Sequence, residues 1–282
     1  MAVGSVDFVR LARESPTLAF GGAILATIVA VGVLSPLIVP HDPLAMAPTR
    51  SLEPPSAIHL LGTDQLGRDL LSRILVGTRI SILVGATVAA LATAAGLAIG
   101  LLAGFVRVLD GPLMRVMDGV MSIPGVLFAI ALMAVFRASV ETVVIALAIV
   151  EIPRVVRLVR SVVLTLRELP FVEGAVVSGA TTAGIIRRHI LPNTLAPLTV
   201  QATYIAASAI IVEAALSFLG AGTPPEIPSW GNMMASGRAF FLIDPMLVLL
   251  PGIVLTITVL AINLVGDGLR DRLDPKLRAA FK

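Results

Sequence analysis

Six apolar runs divide this chain: Leu18–Val39, Ile80–Val106, Val116–Phe136, Ser139–Ile152, Thr194–Leu219 and Met246–Val265. A helix rises about 1.5 Å per residue, so about 20 apolar residues cross a hydrocarbon core roughly 30 Å thick. The second and fifth runs are long enough to tilt. The fourth is short before Glu151, Pro153 and Arg154, so it is expected to be buried among other helices and to continue into water as a basic helix. Composition agrees: 57% of the 282 residues are hydrophobic and 14% charged, against about 45–50% and about 25% in soluble domains. The expected fold is an all-α integral membrane protein with about six spans.

The first run follows Arg10, Arg13 and Glu14 and is about 22 residues long. A secretory signal core is shorter, and Ser35-Pro36-Leu37 is a poor cleavage site, so the segment reads as a retained span. With no cysteine, disulfides and thiolate metal sites are excluded. A net charge of +3 and a pI near 10.1 would suggest nucleic acid in a soluble protein. In a membrane chain the same charge belongs in inner loops, and no nucleic-acid partner is expected.

Orientation follows from Lys and Arg. With the N-terminus inside, fifteen basic residues fall in inner segments and six in outer ones, and both termini are cytoplasmic. The chain then divides into an inner segment 1–17, a first span 18–39, an outer loop 40–79, a core 80–266 with the inner loop 154–193, and an inner tail 267–282. The outer loop opens Pro-rich. It ends with Leu66, Leu70, Ile74 and Gly77 at three- to four-residue spacing, which predicts a short helix along the outer membrane surface.

The inner loop reads Glu173-Gly174-Ala175-Val176-Val177-Ser178-Gly179, then His189-Ile190-Leu191-Pro192-Asn193. Pro170 suits the first turn of a helix. Thr181 or Thr182 can cap a second helix ending at Leu191, with Pro192 as its stop. Gly179 lies between the two, where it allows positive φ or close approach of another backbone.

This loop resembles the E-A-A…G…L-P docking segment of permease subunits of ATP-binding-cassette importers. Gly174 stands where the family has Ala, a departure that would loosen the first helix by roughly 1 kcal/mol. Further blocks follow in family order from about residue 62 to 275. They are Gly62-Thr63-Asp64-Gln65-Leu66-Gly67-Arg68-Asp69 with Ser72-Arg73, Asp110 with Met114-Arg115 and Asp118, Ile123-Pro124, and Arg157-Leu158-Val159-Arg160. Next come Glu213 to Gly220 with Pro228-Ser229-Trp230-Gly231, then Asn263 to Asp271 with Asp274-Pro275. Together they resemble the dipeptide, oligopeptide and nickel branch, in its "C"-type subunit. The family usually has Trp near the position of Ile152.

The resemblance implies a type-I importer permease fold in a bacterial or archaeal inner or plasma membrane. It implies four partners besides the bilayer: a "B"-type second permease, two cytoplasmic ATPases and an external solute-binding protein. Glu173, Gly174, Ala175, Gly179, His189, Leu191 and Pro192 would couple to an ATPase, with Glu173 the charged contact and Gly179 the point of close approach. The implied cargo is a dipeptide or oligopeptide; relatives of this branch also carry glutathione-like molecules and nickel chelates.

No Gly-Lys dipeptide occurs, so the chain lacks a G-x-x-x-x-G-K-[ST] phosphate loop, and ATP and Mg²⁺ are expected on the partner ATPases. No G-x-S-x-G elbow is present either. The chain is therefore expected not to be an enzyme. The three histidines, His41, His59 and His189, are far apart in sequence, and no metal or cofactor site is expected. Glu213 and Asn263, ionisable or polar within spans, are candidates for either the pathway or helix packing. Asp267, Arg270, Asp271 and Arg272 are expected to form a solvated ion cluster. A proton-coupled transporter using Glu213 or Glu141 is the rival class, and it would leave the docking segment unexplained.

Overall fold

In membrane every backbone N–H and C=O must find a partner within the chain, so spanning segments of this kind become helices. The computed structural model describes residues 15–273. The N-terminal charges Arg10, Arg13 and Glu14, and the tail with Asp274, Pro275, Lys276, Arg278 and Lys282, lie outside the described residues. Regular structure among the described residues is helical: α1 (Pro16–Ile38), α2 (Leu70–Phe105), α3 (Arg107–Met121), α4 (Gly125–Val135) and α5 (Val140–Leu166), then α6 (Pro170–Val177), α7 (Thr182–Ile185), α8 (Leu191–Phe218), α9 (Trp230–Gly237) and α10 (Met246–Leu273).

Four stretches are long and apolar enough to cross a membrane: α1, α2, residues 182–218 and α10. A fifth is reached if α3 and α4 are taken as one span, but they meet at 86°. The single third span expected over Val116–Phe136 is thus broken. The cause is local: Pro124 has no N–H to continue the α3 ladder, and its ring drives Ile123 away from helical geometry. The fourth run lies in α5, whose later turns carry Glu151, Arg154, Arg157 and Arg160. These charges keep α5 out of the apolar set.

The surface helix expected near Leu66–Gly77 does not exist as a separate element. Leu66 lies in a turn, and from Leu70 onward the residues form the first turns of α2, which therefore begins ten residues before the expected Ile80. Leu70 and Ile74 pack with Met233 and Leu247 in a buried cluster. The polar residues between them are buried as well. Asp64 Oδ1 accepts the amides of Leu66 and Arg68 at 2.8 and 3.0 Å, and Oδ2 accepts Arg68 Nε at 2.6 Å. Arg73 Nε lies 3.5 Å from the same oxygen, and its Nη1 donates to the Pro43 carbonyl at 3.2 Å. An amphipathic period with its charges neutralised inside the fold looks, in one dimension, the same as one with its charges in water. Gly67 completes this knot. Its φ is +72°, and a Cβ there would stand on the Ala47 carbonyl oxygen, so no other residue fits.

α5 is held by α2 along a seam of glycines. A Cβ placed on Gly96, Gly100 or Gly104 would lie 2.4, 2.6 or 2.7 Å from the Cβ of Val155, Val159 or Val163. Spaced at four residues, these glycines share one face of α2 and let the two backbones approach closely. The three valines are fully buried. Beyond Val155 the seam continues in ion pairs from α5 to α3. Arg160 forks onto Asp110 at 2.5 and 2.7 Å, and Arg157 donates to Asp118 at 2.6 Å. On the opposite side α1 lies against α10, with Gly21 facing Leu264 and Gly268 facing Leu18.

Overpacking a tight helix contact costs about 1–3 kcal/mol. Gly100→Leu is therefore expected to lower the thermal unfolding midpoint of the detergent-solubilised protein. Gly22→Ala, where a Cβ meets nothing within 4 Å, is expected to hold it or raise it slightly, since Ala favours a helix over Gly. Melting curves followed by static light scattering compare the two.

Candidate functional site: the elbow at Gly179 and the buried Glu213

The elbow follows α5 directly. Pro170 opens α6 at its first position, and α6 ends at Ser178–Gly179. Gly179 adopts φ +77°. Its N–H donates to the Val176 carbonyl and the Ala180 N–H donates to the Ala175 carbonyl, both at 3.0 Å. This is the paired bonding that closes a helix with a left-handed residue after its last turn. Nothing in the chain lies within 4 Å of a Cβ on Gly179. Positive φ, rather than crowding within this chain, requires glycine here, and the space beside it stays open. Thr181 Oγ1 then accepts the Gly184 amide and caps α7.

Pro192 does not stop the second helix, contrary to the expectation. After α7 the chain widens into a π turn, Ile186–Ile190, and passes without a break into α8, with Pro192 in its first turn. The Leu191 N–H bonds the Ile186 carbonyl, five residues back. The wider turn makes room for a proline ring that would otherwise strike the carbonyl four residues before it. Side chains take up carbonyls of this turn: Asn193 Nδ2 donates to His189 O, and Thr194 Oγ1 to Ile190 O, both at 2.7 Å.

The elbow has two faces. Val172, Ile185 and Ile190 are buried in the main core, with Ala175 packed against it. Glu173, Gly174, Val176, Gly179 and Pro192 are exposed, and Val177 is 88% exposed. His189 and Leu191 are half-buried, and the His189 ring lies 5.8 Å from that of Phe171. A Cβ on Gly174 would meet nothing within 4 Å. The fold thus brings the sequence-predicted residues into one exposed bend on a buried footing.

At the far end of α8, Glu213 is fully buried. Its Oε1 accepts the hydroxyls of Ser217, Ser229 and Thr223 at 2.8, 3.0 and 3.3 Å. Asn232 Nδ2 donates to Thr223 Oγ1 and to the Pro224 carbonyl at 2.9 and 2.8 Å. The carboxyl therefore ties the end of α8 to the loop before α9 and to Ser229, which caps α9. Glu141 is exposed in the first turn of α5. Asn263 is half-buried in α10 and makes no side-chain hydrogen bond to the described residues. Asp267, expected in a solvated ion cluster, accepts the Tyr204 hydroxyl of α8 at 2.5 Å.

Sequence spacing missed two groupings. One is the pairing of Asp110 and Asp118 with Arg160 and Arg157, although all four had been singled out as motif residues. The other concerns the histidines. His41 and His59 meet over Asp69, contrary to the expectation of no clustered metal-type ligands. The loop between α1 and α2 folds back on itself and brings together residues 18 and 10 positions apart. Burial works to raise the Asp69 carboxyl, but the Ser72 hydroxyl and amide, His59, and the charge His41 can carry outweigh it and hold it below the ordinary aspartate value.

The described residues form a helical bundle with four stretches long and apolar enough to cross a membrane, and the class this defines is a multi-pass membrane protein. Residues 96–279 match the family described as binding-protein-dependent transport system inner membrane component, and the chain belongs to that family. It is a multi-pass membrane protein and a permease subunit of an ATP-binding-cassette importer. It is 49% identical over 268 residues to the probable peptide ABC transporter permease protein y4tQ of Sinorhizobium fredii, covering 95% of this chain and 92% of that one. It is 41% identical over 260 residues to the dipeptide transport system permease protein DppC of Alkalihalophilus pseudofirmus, covering 92% and 86%. The glutathione transport system permease protein GsiD of Salmonella typhimurium is 42% identical over 271 residues, covering 95% and 89%. In fold the chain is similar to a chain of the MetNI methionine ABC transporter in inward-facing conformations, with a TM-score of 0.61 at 19% identity over 73% of this chain and 98% of that one.

Gly174→Ala is expected to stabilise α6 by up to about 1 kcal/mol. Gly179→Ala is expected to cost roughly 1–2 kcal/mol, because an L residue is strained at positive φ. Hydrogen exchange at amides 171–180 should slow in the first variant and speed up in the second.

Proposed function

We propose that this chain forms half of the pathway of an ATP-driven peptide importer, and that its elbow is the part a cytoplasmic ATPase grips. Both termini then lie in the cytoplasm. A second permease completes the pathway, an external binding protein delivers cargo, and ATP and Mg²⁺ reside on two ATPases. The observation that carries this is the two-faced elbow. Val172, Ile185 and Ile190 root it in the helical core, while Glu173, Val176 and Val177 are offered outward around the open bend at Gly179.

The mechanism is mechanical. ATP-driven approach of the two ATPases displaces the elbows they hold. Because α7, the π turn and α8 form one run, a push at the elbow acts along α8 rather than being lost in a flexible joint. At its other end Glu213 fastens α8 to the outer loop and α9, so that loop moves with it. Access alternates as the bundle rocks between two packings. This chain supplies the path and the lever and does no bond chemistry.

Peptide cargo is supported by relatives named for peptide and dipeptide transport. Glutathione, named for another relative, is itself a short peptide. The nickel chelates raised by the sequence resemblance fit the same architecture with a different binding protein. A proton-coupled mechanism has less support, because it leaves the elbow unexplained and Glu141 is exposed.

The complex reconstituted in proteoliposomes is expected to take up dipeptide only with ATP and binding protein present. Gly179→Trp is expected to leave insertion intact and to abolish uptake while ATP hydrolysis continues. Val177→Cys, the only cysteine in such a chain, is expected to crosslink to the ATPase. Uptake by the chain without a nucleotide-hydrolysing partner would overturn the proposal.

A further inference from the structure

We propose that His41, His59 and Asp69 form a binding site for a divalent transition-metal ion of the Zn²⁺, Ni²⁺ or Cu²⁺ kind, at the junction between the first two spanning helices. His41 follows α1, His59 lies in the connecting loop, and Asp69 caps the start of α2.

The geometry starts from the carboxylate. Asp69 Oδ2 is occupied by Ser72, whose amide and hydroxyl donate to it at 2.8 and 2.6 Å. The same hydroxyl accepts the His41 backbone N–H at 3.2 Å, so Ser72 positions both Asp69 and the His41 backbone. Oδ1 is left facing the two imidazoles. His59 Nδ1 lies 2.8 Å from it and His41 Nδ1 3.8 Å. One ligand atom from each of the three residues lies within 4.8 Å of the others. Zinc-type bonds of about 2.0–2.2 Å place tetrahedral ligand atoms roughly 3.3–3.5 Å apart. The two contacts to Oδ1 bracket that spacing.

An independent sign is the His41 Nδ1 atom, which is buried and has no hydrogen-bond partner. Buried polar atoms are normally satisfied, and a metal ion among these three residues would satisfy this one. The donor set, two imidazoles and one carboxylate, suits a borderline transition metal. Ca²⁺ and Mg²⁺ favour all-oxygen sites. Three protein ligands leave a fourth position for water, and the His41 side chain, 36% exposed, gives solvent a way in.

Arg50 Nη1 approaches His59 Nε2 at 3.4 Å, and a guanidinium only donates, so Nε2 is the acceptor and Nδ1 carries the proton. Metal binding at Nδ1 transfers that proton to Nε2, and Arg50, which is exposed, swings away. The bound ion would staple the exit of α1 to the entry of α2.

The test uses the full-length chain in detergent, without an affinity tag and stripped of metal. Titration with Co²⁺ is expected to give the visible absorption of a four-coordinate site at one equivalent per chain, reversed by Zn²⁺. Hydrogen exchange over residues 41–69 should slow at the same equivalence point. His41→Gln leaves the Asp69–His59 and Asp69–Ser72 bonds in place, so it should keep its helical circular dichroism. Loss of an outer-shell partner weakens metal binding about 10–100-fold, and loss of a ligand should cost at least that. Absence of one-equivalent binding would overturn the proposal, as would equal Co²⁺ affinity in a folded His41→Gln protein. Neither result bears on coupling to an ATPase, which is read by uptake.

Discussion

The close approach of α2 and α5 is the contact on which the rest depends. In membrane the surroundings are as apolar as the helix faces, so helices associate through dense packing and polar contacts rather than through expulsion of water. α5 is the helix least able to sit in lipid alone, since Glu151, Arg154, Arg157 and Arg160 lie from near its middle onward. Gly96, Gly100 and Gly104 let it press against α2 on the side of Val155, Val159 and Val163. Its arginines reach Asp110 and Asp118 of α3 beyond that seam. Charge that would be costly in hydrocarbon is paired at the rim, and the apolar face is buried where the backbones are closest.

The elbow inherits its position from this seam. Only Arg167, Glu168 and Leu169 separate α5 from α6, and the buried Val172 joins the core that contains the α5 valines. A bend held so firmly on one face can present its other face in a constant orientation. The π turn adds a second constraint. By carrying the chain past Pro192 without a break, it joins the elbow to α8, and through α8 to Glu213 and the loop before α9. A helix interrupted at Pro192 would have placed a hinge at the point where force has to pass.

Much of this was legible along the chain. Run lengths located the first helix to within two residues and the start of the last, which continues eight residues past Val265. Pro170, Gly179 and the Thr181 cap were read from local backbone preferences, which act over a few residues and so leave their mark locally. The misreadings share a cause. Pro192 reads as a stop because proline breaks the four-residue ladder, but the bonding had shifted to five. Leu66, Leu70 and Ile74 read as a surface stripe because Arg68 and Asp69 lie between them, yet those charges are neutralised by Asp64, Ser72 and His59 inside the loop fold. The glycine seam went unread: Gly96, Gly100 and Gly104 stand at four-residue spacing, but nothing along the chain names Val155, Val159 and Val163 as what they face.

By itself, then, the sequence determined that the chain belongs in a bilayer, roughly where it crosses, and where the loop after α5 bends. Those properties depend on apolar length and on φ, ψ preferences, which each segment carries within itself. Tertiary structure alone decided which aspartate meets which arginine, that Glu213 is fastened by Ser217, Thr223 and Ser229, and that His41 and His59 converge on Asp69. Such pairings join residues that sequence leaves apart, and they are set by where whole helices come to rest against one another.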